Sequence, residues 1–306
     1  LYASEQIEEK LSSYVNRMLA HEPLPYILGQ WDFYGISLEV TPDVLIPRDD
    51  TMAVTDLALD VLRGREAPRV LDLCCGSGCI GLAIAHQLPD AHVTLADVSR
   101  PALAVAKRNI KRLKLMNRVT AVGLDARKRG PSFVGTLDAL VCNPPYVTSE
   151  EMTRLEPSVK EYEPALALDG GKDGLAFYRA VAENFTHLLA DGGYLCFEFG
   201  LGQHMAVSMI LQEYGYTDIV LRKDLRGVVR AAWPNADDAP VEDMDIIVIC
   251  LHPEAAADFV RAQAGRIRPG ALLTDVCGVK RPLFEAVGEV RERTFIYLGA
   301  TPMPCP

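Results

Sequence analysis

The sequence predicts an α/β protein built on a doubly wound, mostly parallel sheet of seven strands. Two observations support this prediction. From residue 69 to residue 214, short apolar runs alternate with segments whose apolar residues recur at helical spacing, which indicates right-handed strand–helix–strand units. The apolar runs are nearly continuous, as expected for strands that helices cover on both faces.

The elements are expected in the following order along the chain. Residues 1–27 should form a helical region with one amphipathic helix, and residues 28–50 a β-hairpin. A domain at residues 51–235 should open with a helix that Thr51 caps and Gly64 ends. Within it we expect strands at 69–74, 92–97, 119–124, 137–142 and 193–199, helices at 79–88, 100–115, 175–190 and 203–214, and a closing antiparallel pair at 218–222 and 228–232.

A smaller unit is expected after an acidic, breaker-rich linker at residues 236–243. About sixty residues, 244–306, hold only three short strand candidates, which are too few for a complete nucleotide-binding domain. We therefore predict a small βαβ-like segment with strands at 245–251, 271–276 and 294–298 and helices at 253–267 and 279–289.

Composition and charge narrow the range of functions. The chain is 49% apolar and 24% charged, which is typical of a soluble globular protein, and no apolar run is long enough to cross a bilayer. The net charge of −10 disfavours a nucleic-acid partner, because neutralising phosphates usually requires a basic surface. DNA is therefore not expected as a substrate, and no membrane association is expected.

The eight cysteines lie mostly within apolar runs, which is typical of a reducing compartment. The chain does not open with a secretion signal, so we expect a cytoplasmic location. Cys74, Cys75 and Cys79 are close in sequence, but no second pair of cysteine or histidine ligands accompanies them. A zinc site needs such a pair, so no metal is expected.

A glycine-containing loop follows the first strand of the predicted sheet. The stretch from Asp72 to Gly78 reads Asp-Leu-Cys-Cys-Gly-Ser-Gly, and Gly76 and Gly78 let the backbone approach a ligand closely. The loop has neither the Gly-Lys-Ser/Thr of a phosphate-binding loop nor the three glycines of a dinucleotide site. Asp97 ends the next strand, where a carboxylate can accept both ribose hydroxyls. These features favour an adenosine ligand with a charged amino-acid tail and no phosphate, as in S-adenosylmethionine.

The strongest functional signal is Asn143-Pro144-Pro145-Tyr146, at the end of the fourth strand of the sheet. Open α/β sheets bind ligands at this edge. The prolines make a rigid turn with free carbonyls, Asn143 adds a side-chain acceptor, and Tyr146 can stack on a flat group. Acceptors on both hydrogens of an –NH2 group increase the electron density on a nitrogen that is otherwise a poor nucleophile. We interpret the motif as a site for methylating an amide or amino nitrogen; the alternative is a tight turn with a structural role only.

Several further segments accompany these motifs in the same order as in a known family. With them, residues 23–233 resemble the protein-(glutamine-N5) methyltransferases that modify peptide chain release factors. The most specific segment is 163–179, because the glycine loop and Asn-Pro-Pro-Tyr also occur in adenine-N6 methyltransferases. The matching segments are 25–29, 33–35, 45–48, 72–78, 97, 143–146, 163–174, 178–179, 198–200 and 203.

This resemblance implies a Rossmann-like class I S-adenosylmethionine-dependent methyltransferase that acts in translation termination. The implied reaction is transfer of a methyl group to the side-chain nitrogen (N5) of the glutamine in the Gly-Gly-Gln loop of a release factor. The glutamine is expected to lie against Asn143, Pro144, Pro145 and Tyr146, with Arg48 as a further substrate contact. The implied cofactor contacts are Asp72, Cys74, Cys75, Gly76, Ser77, Gly78, Asp97, Asp125, Ala126 and Asn143.

The sequence departs from the family pattern at three positions. Cys74 replaces the usual first glycine of the loop, and Ala126 stands where the family often has an aromatic residue. Met52 replaces a common glutamate, so one helix-cap or substrate-side contact is expected to be missing. The family's N-terminal helical domain is also mostly absent from this sequence, which we expect to weaken docking of the release factor rather than the chemistry.

The tail resembles a different family, the nucleotide domain of prephenate dehydrogenase. The resemblance covers residues 243–303 and includes Thr274-Asp275-Val276-Cys277-Gly278-Val279-Lys280. Thr301 stands where that family has a functional histidine, and the glycine-rich first turn is missing. We therefore expect a partial, non-catalytic segment without dehydrogenase activity.

Two other functions remain as alternatives. One is an adenine-N6 methyltransferase that acts on nucleic acid, which the acidic charge and the segment 163–179 disfavour. The other is a non-catalytic protein that uses the same fold as a scaffold. The sequence does not predict the oligomeric state.

Overall fold

The computed structural model describes residues 5–223, 229–235, 246–249, 260–261, 267, 272–275, 287 and 296–299. The chain divides into two compact units, Leu1–Asp237 and Asp238–Pro306. The first unit begins with two helices and an antiparallel hairpin, which are α1 (Glu5–Leu19), α2 (Leu24–Leu28), β1 (Gln30–Phe33) and β2 (Ile36–Glu39).

Alternating strands and helices make up the rest of the first unit. Its further helices are α3 (Met52–Leu62), α4 (Cys79–Gln87), α5 (Arg100–Arg112), α6 (Pro157–Lys160), α7 (Ala176–Phe185) and α8 (His204–Glu213). Its further strands are β3 (Arg69–Leu73), β4 (His92–Asp97), β5 (Val119–Gly123), β6 (Leu137–Cys142), β7 (Leu189–Glu198), β8 (Thr217–Lys223) and β9 (Val229–Asn235).

These seven strands form one sheet in the order β5-β4-β3-β6-β7-β9-β8. Strands β3 to β7 are parallel, and β9 runs antiparallel to both of its neighbours. The chain starts at β3 in the middle, builds outward through β4 and β5, and then returns to add β6 on the other side. This arrangement confirms the predicted doubly wound fold, and its reversal point between β3 and β6 marks where a ligand binds in such sheets.

Two apolar clusters cover the two faces of this sheet. On β6, Ala139 and Val141 join the cluster formed with α3, α4 and α5, whereas Leu140 and Cys142 join the cluster formed with α7 and α8. Successive residues of a strand point to opposite faces, so a strand covered on both sides must be apolar throughout. This is the physical reason for the continuous apolar runs in the sequence.

Two predictions about individual elements were wrong. The helix expected at 175–190 ends at Phe185, because a short 3-10 turn follows and Leu189 already pairs with Leu137 at the start of β7. Thr51 precedes α3 but does not cap it with its side chain, because a 3-10 turn at Asp49–Thr51 places its backbone in a helical conformation. Gly64 follows the helix with φ +82°, a conformation that favours glycine.

In the second unit, the described residues include three parallel strands in one sheet. They are β10 (Ile246–Ile249), β11 (Leu272–Asp275) and β12 (Ile296–Gly299), in that order. All three lie within or next to predicted strands. The helices predicted at 253–267 and 279–289 lie mostly outside the described residues.

One buried amide joins the hairpin to the main sheet. Asn109 of α5 is 0% exposed; its Oδ1 accepts a hydrogen bond from Glu39 N (2.7 Å). Its Nδ2 donates to the carbonyl oxygens of Glu39 and Ser77, both at 3.0 Å. Three bonds to backbone groups therefore hold β2, α5 and the loop after β3 together.

We predict that Asn109→Ala lowers the free energy of unfolding by about 3 kcal/mol, because it leaves buried backbone groups without partners. Urea unfolding followed by circular dichroism measures this change. The exposed Asn117→Ala is the matched control and should change the same quantity by less than about 0.5 kcal/mol. If both substitutions lowered the free energy of unfolding equally, the result would contradict the stabilising role of Asn109.

Candidate active site

A cleft opens at the carboxyl ends of β3, β4 and β6, where the order of the sheet reverses. One wall is the segment after the hairpin, and the opposite wall comes from the loops after β5 and β6. The residues that line the cleft are 43–48, 51, 74–77, 79–80, 97–99, 102, 124–127, 143, 145, 164, 166–167 and 177. The cleft thus brings the predicted glycine loop and the predicted turn after β6 to one place.

The loop after β3 owes its shape to left-handed backbone conformations. Cys74, Gly76 and Gly78 have φ values of +61°, +54° and +84°. Gly76 lines the cleft, and a methyl group there would meet nothing within 4 Å, so its surroundings are open to a ligand. A methyl group on Gly78 would instead lie 2.8 Å from Leu95 Cδ1 in the core. Gly78 therefore allows close packing, whereas Gly76 faces the ligand side.

Two acidic side chains lie at the base of this loop. Asp97 accepts hydrogen bonds from Gly76 N (2.9 Å) and Ser99 N (2.8 Å), so it holds the loop against β4. Asp72 is 1% exposed and its Oδ2 accepts from Gly81 N (2.8 Å). Within the part of the chain that the structure describes, Asp72 Oδ1 has no hydrogen-bond partner.

Both carboxyl groups are harder to ionise than usual. Burial, with a smaller contribution from the charge of Asp97, raises the pKa of Asp72 to about 7. Burial also raises the pKa of Asp97 above its usual range. Asp72 is buried, Asp97 is half-buried, and neither forms an ion pair within the described residues, so a ligand that carries positive charge would complement them.

The loop after β5 adds a further acid and a small residue to the cleft. Asp125 Oδ1 accepts hydrogen bonds from Arg127 N (3.0 Å) and Nε (3.1 Å), and the side-chain hydrogen bond holds the Asp125 pKa below its usual range. Ala126 is buried against the apolar cluster on that face while it lines the cleft. The small side chain leaves space where the resembling family often has an aromatic ring.

The Asn143–Tyr146 turn leaves the end of β6 and enters the opposite wall of the cleft. Asn143 Nδ2 donates to the Thr51 hydroxyl at 3.4 Å, which leaves the side-chain oxygen Oδ1 as an acceptor. The Tyr146 carbonyl accepts from Gln203 Nε2 at 3.0 Å. Asn143 and Pro145 line the cleft, whereas Pro144 is buried and the Tyr146 side chain packs partly against the core.

Residues 168–174 pass directly behind this turn. Val147 N donates to Leu168 O (2.9 Å) and Gly170 N donates to Val147 O (2.8 Å). A methyl group on Gly170 would lie 2.7 Å from both Pro145 O and Tyr146 Cα, and one on Gly174 would overlap Tyr146 O. Only glycine allows this approach, which explains in physical terms why the Gly-Gly-Lys-Asp-Gly block accompanies the turn.

Glu163, which lies just before this segment in the chain, reaches the other wall of the cleft through an ion pair with Arg48. Glu163 is buried, its Oε1 accepts from Arg48, and its Oε2 accepts from Ile46 N at 3.2 Å. Arg48 remains partly exposed and lines the cleft. The guanidinium group of Arg48 is therefore held by Glu163 and is still accessible from the cleft.

Most of the predicted site residues meet in the cleft. Those that line it are Arg48, Cys74, Cys75, Gly76, Ser77, Asp97, Asp125, Ala126, Asn143 and Pro145. Asp72 and Gly78 lie beneath the loop. Pro144 and Tyr146 are not among the lining residues; Pro144 is buried and Tyr146 is half-buried. Met52, at the position of the missing glutamate, packs against the core.

Sequence reasoning missed the supporting roles of Thr51, Glu163 and Gln203. Glu163 and Gln203 lie in segments that resemble the family, but their partners are 115 and 57 residues away along the chain. No local pattern signals such pairings. The sequence predicts only a helix cap at Thr51, because a threonine before an apolar helix fits a capping role as well as it fits a role in the cleft.

Comparisons with known proteins agree with this geometry. The methyltransferase small domain family matches residues 49–161. The chain is 35% identical to the release factor glutamine methyltransferase of Clostridium botulinum, over 74% of this chain and 80% of the relative. It is 41% identical to that of Geobacter sulfurreducens, over 71% and 74% of the two chains. The hMettl16 catalytic domain, solved in complex with MAT2A 3′UTR hairpin 6, has the same fold, with a TM-score of 0.55, 17% identity, and 67% and 77% of the two chains covered.

The fold and the cleft define a class I S-adenosylmethionine-dependent methyltransferase. Within that class, the chain belongs to the release factor glutamine methyltransferase family. The prephenate dehydrogenase nucleotide-binding domain family matches residues 212–306, which confirms the resemblance of the tail.

None of the helices described here is both long and apolar enough to span a bilayer. Groups of three or more potential metal ligands are not found among the described side chains.

We predict that the buried Asp72 makes stability depend on pH. Its pKa is about 7 in the folded protein and 3.8 as the ordinary value, so the folded state binds the extra proton between these pH values. The stabilising contribution is complete below about pH 4 and is lost as the pH rises through about 7. Because of Asp72, the free energy of unfolding of the wild type should therefore fall with rising pH in this window by up to about 1.4 kcal/mol per pH unit. Asp72→Asn should remove this contribution to the slope.

Urea unfolding of the ligand-free protein at several pH values between 5 and 8 measures this slope. The exposed Asp90→Asn serves as the matched control and should leave the slope as in the wild type. Parallel pH profiles of wild type and Asp72→Asn would contradict the predicted protonation of Asp72.

Proposed function

We propose that this chain transfers a methyl group from S-adenosylmethionine to the side-chain amide nitrogen of the glutamine in the Gly-Gly-Gln loop of peptide chain release factors. The family membership supports the reaction, since the curated relatives at 35–41% identity are named release factor glutamine methyltransferases. The structural observation that carries the proposal is the Asn143–Tyr146 turn, held beside the glycine loop by the glycines of residues 168–174.

The residues of the cleft fit the proposed cofactor. S-adenosylmethionine supplies a methyl group on a positively charged sulfur and also carries an ammonium group. Asp72 Oδ1, which has no hydrogen-bond partner among the described residues, and the half-buried Asp97 carboxyl favour a cationic ligand. The open space at Gly76 allows this ligand to approach the backbone. The proposed contacts are Cys74, Cys75, Gly76, Ser77, Asp97, Asp125, Ala126 and Asn143, with Asp72 and Gly78 supporting the loop from beneath.

The turn after β6 prepares the substrate nitrogen. Asn143 Oδ1 and a proline carbonyl of the turn accept hydrogen bonds from the two N–H groups of the glutamine amide, and the Tyr146 ring packs against its flat face. These bonds strengthen as positive charge develops on the nitrogen, so they lower the barrier rather than only bind the substrate. Arg48, anchored by Glu163, is proposed to contact the backbone of the substrate loop.

We also propose a cellular location for the protein and a role for its tail. A cytoplasmic location is supported by the five free cysteines among the described residues, which are stable as thiols in a reducing compartment. Residues 236–243 are proposed to link the methyltransferase domain, 51–235, to a non-catalytic segment at 244–306. That segment has Thr301 in place of the expected histidine.

We predict that the purified chain transfers one methyl group to an unmodified bacterial release factor. Labelled S-adenosylmethionine and mass spectrometry of the released peptides locate the group, which should lie on the glutamine of the Gly-Gly-Gln loop. A release factor in which this glutamine is changed to alanine is the control and should acquire no label.

Nucleic acid is the opposing substrate in the same assay. Duplex DNA and RNA without release factor should remain unlabelled, because the net charge of −10 disfavours binding to phosphates. Label on DNA or RNA with none on the release factor would favour adenine methylation. Label on neither would favour a scaffold.

We predict that Asn143→Ala lowers kcat by about 100-fold or more, because it removes one acceptor that acts on the developing charge. Calorimetric binding of S-adenosylhomocysteine should remain detectable, since the glycine loop and Asp97 are unchanged. The exposed Asn117→Ala should keep the kcat of the wild type. Wild-type turnover in Asn143→Ala would refute the assigned role.

A further inference from the structure

Thr51 lies in the wall of the cleft and faces the side chain of Asn143. It is 1% exposed, and its hydroxyl oxygen accepts a hydrogen bond from Asn143 Nδ2 at 3.4 Å. Both residues line the cleft. A buried hydroxyl at this place therefore contacts the amide whose oxygen receives the substrate.

The start of helix α3 does not use this hydroxyl. A threonine before a helix usually accepts a hydrogen bond from a backbone N–H of the first turn. Thr51 instead has a helical backbone conformation (φ −66°, ψ −16°) and makes no side-chain cap. The hydroxyl is consequently directed to the cleft rather than to its own helix.

The position of Thr51 is fixed through its backbone. Thr51 N donates to Arg48 O at 3.1 Å, and Thr51 O accepts from the Thr55 hydroxyl at 3.1 Å. Arg48 in turn forms the ion pair with the buried Glu163. These contacts limit the movement of the Thr51 side chain relative to the Asn143–Tyr146 turn.

The orientation of the Asn143 amide decides whether it can assist the proposed reaction. With Nδ2 at Thr51, the oxygen Oδ1 is left for the substrate, where it accepts from the –NH2 group of a glutamine. With the amide reversed, Nδ2 would meet that –NH2 group, and two donors would face each other. The Thr51 hydroxyl can pair with either end of the amide, so it fixes where the amide lies, and in the observed arrangement it accepts from Nδ2 and leaves Oδ1 for the substrate.

We propose that Thr51 is a positioning residue that holds the Asn143 amide with its oxygen towards the substrate nitrogen. This inference rests on the proposed function, because it assigns Asn143 the role of acceptor. It assigns Thr51 an effect on turnover that acts through Asn143 and leaves cofactor binding unchanged.

Three variants test the effect on turnover. Thr51→Val keeps the shape of the side chain but removes the acceptor, so kcat should fall about tenfold while the affinity for S-adenosylhomocysteine changes less than about twofold. Thr51→Ser keeps the hydroxyl and should recover most of the activity. Thr94→Val is the matched control, since it makes the same change in a threonine of β4 that lies outside the cleft, and its kcat should equal that of the wild type.

A double-mutant cycle separates positioning from a general loss of stability. Once Asn143 is replaced by alanine, Thr51→Val should lower kcat no further, because the amide that Thr51 holds is gone. Additive losses in the double variant would overturn the proposal. An equal loss of activity in Thr51→Val and Thr94→Val would overturn it as well.

A measurement without substrate keeps this inference distinct from the proposed function. The chain has six asparagines, so selective 15N-asparagine labelling gives few side-chain amide signals, and Asn143→Asp identifies the relevant pair. Thr51→Val should shift that pair, whereas Thr94→Val should not. If the wild type fails to methylate a release factor but the shift is seen, only the proposed function fails; an unchanged Asn143 signal in Thr51→Val would overturn the positioning role.

Discussion

The site depends on one close contact between two backbone segments. Gly170 and Gly174 pass so near to Pro145 and Tyr146 that a methyl group on either glycine would overlap the turn. Interiors of proteins are densely packed and do not yield to extra atoms without displacement. The contact therefore sets where the acceptors after β6 lie relative to the glycine loop after β3.

Other interactions extend this contact to the rest of the cleft. Gln203 joins the Tyr146 carbonyl to the turn between β7 and α8. Glu163, which precedes residues 168–174 in the chain, forms an ion pair with Arg48 on the opposite wall. Thr51 completes the connection at Asn143. The methyl donor and the acceptor nitrogen must meet in line, so a wall that moved by an ångström would lose much of the rate.

The sequence predicted the fold and the location of the site better than it predicted their supports. Continuous apolar strands and helical periodicity specified the parallel sheet because both signals are local, and the Asn143–Tyr146 turn carried its chemistry within four residues. The roles of Glu163 and Gln203 depend on partners far along the chain, which no local pattern reveals. Thr51 was interpreted as a cap because its environment differs from a cap only in the backbone angles of one preceding turn.

The kcat of Gly170→Ala shows whether this contact positions the turn. The added methyl group should displace the turn and lower kcat at least about tenfold, while S-adenosylhomocysteine still binds with wild-type affinity. Gly123→Ala is the matched control, since its methyl group would meet only Leu103 at 3.8 Å, and it should keep wild-type kcat. Wild-type kcat in Gly170→Ala would contradict the claim that the contact at Gly170 positions the Asn143–Tyr146 turn.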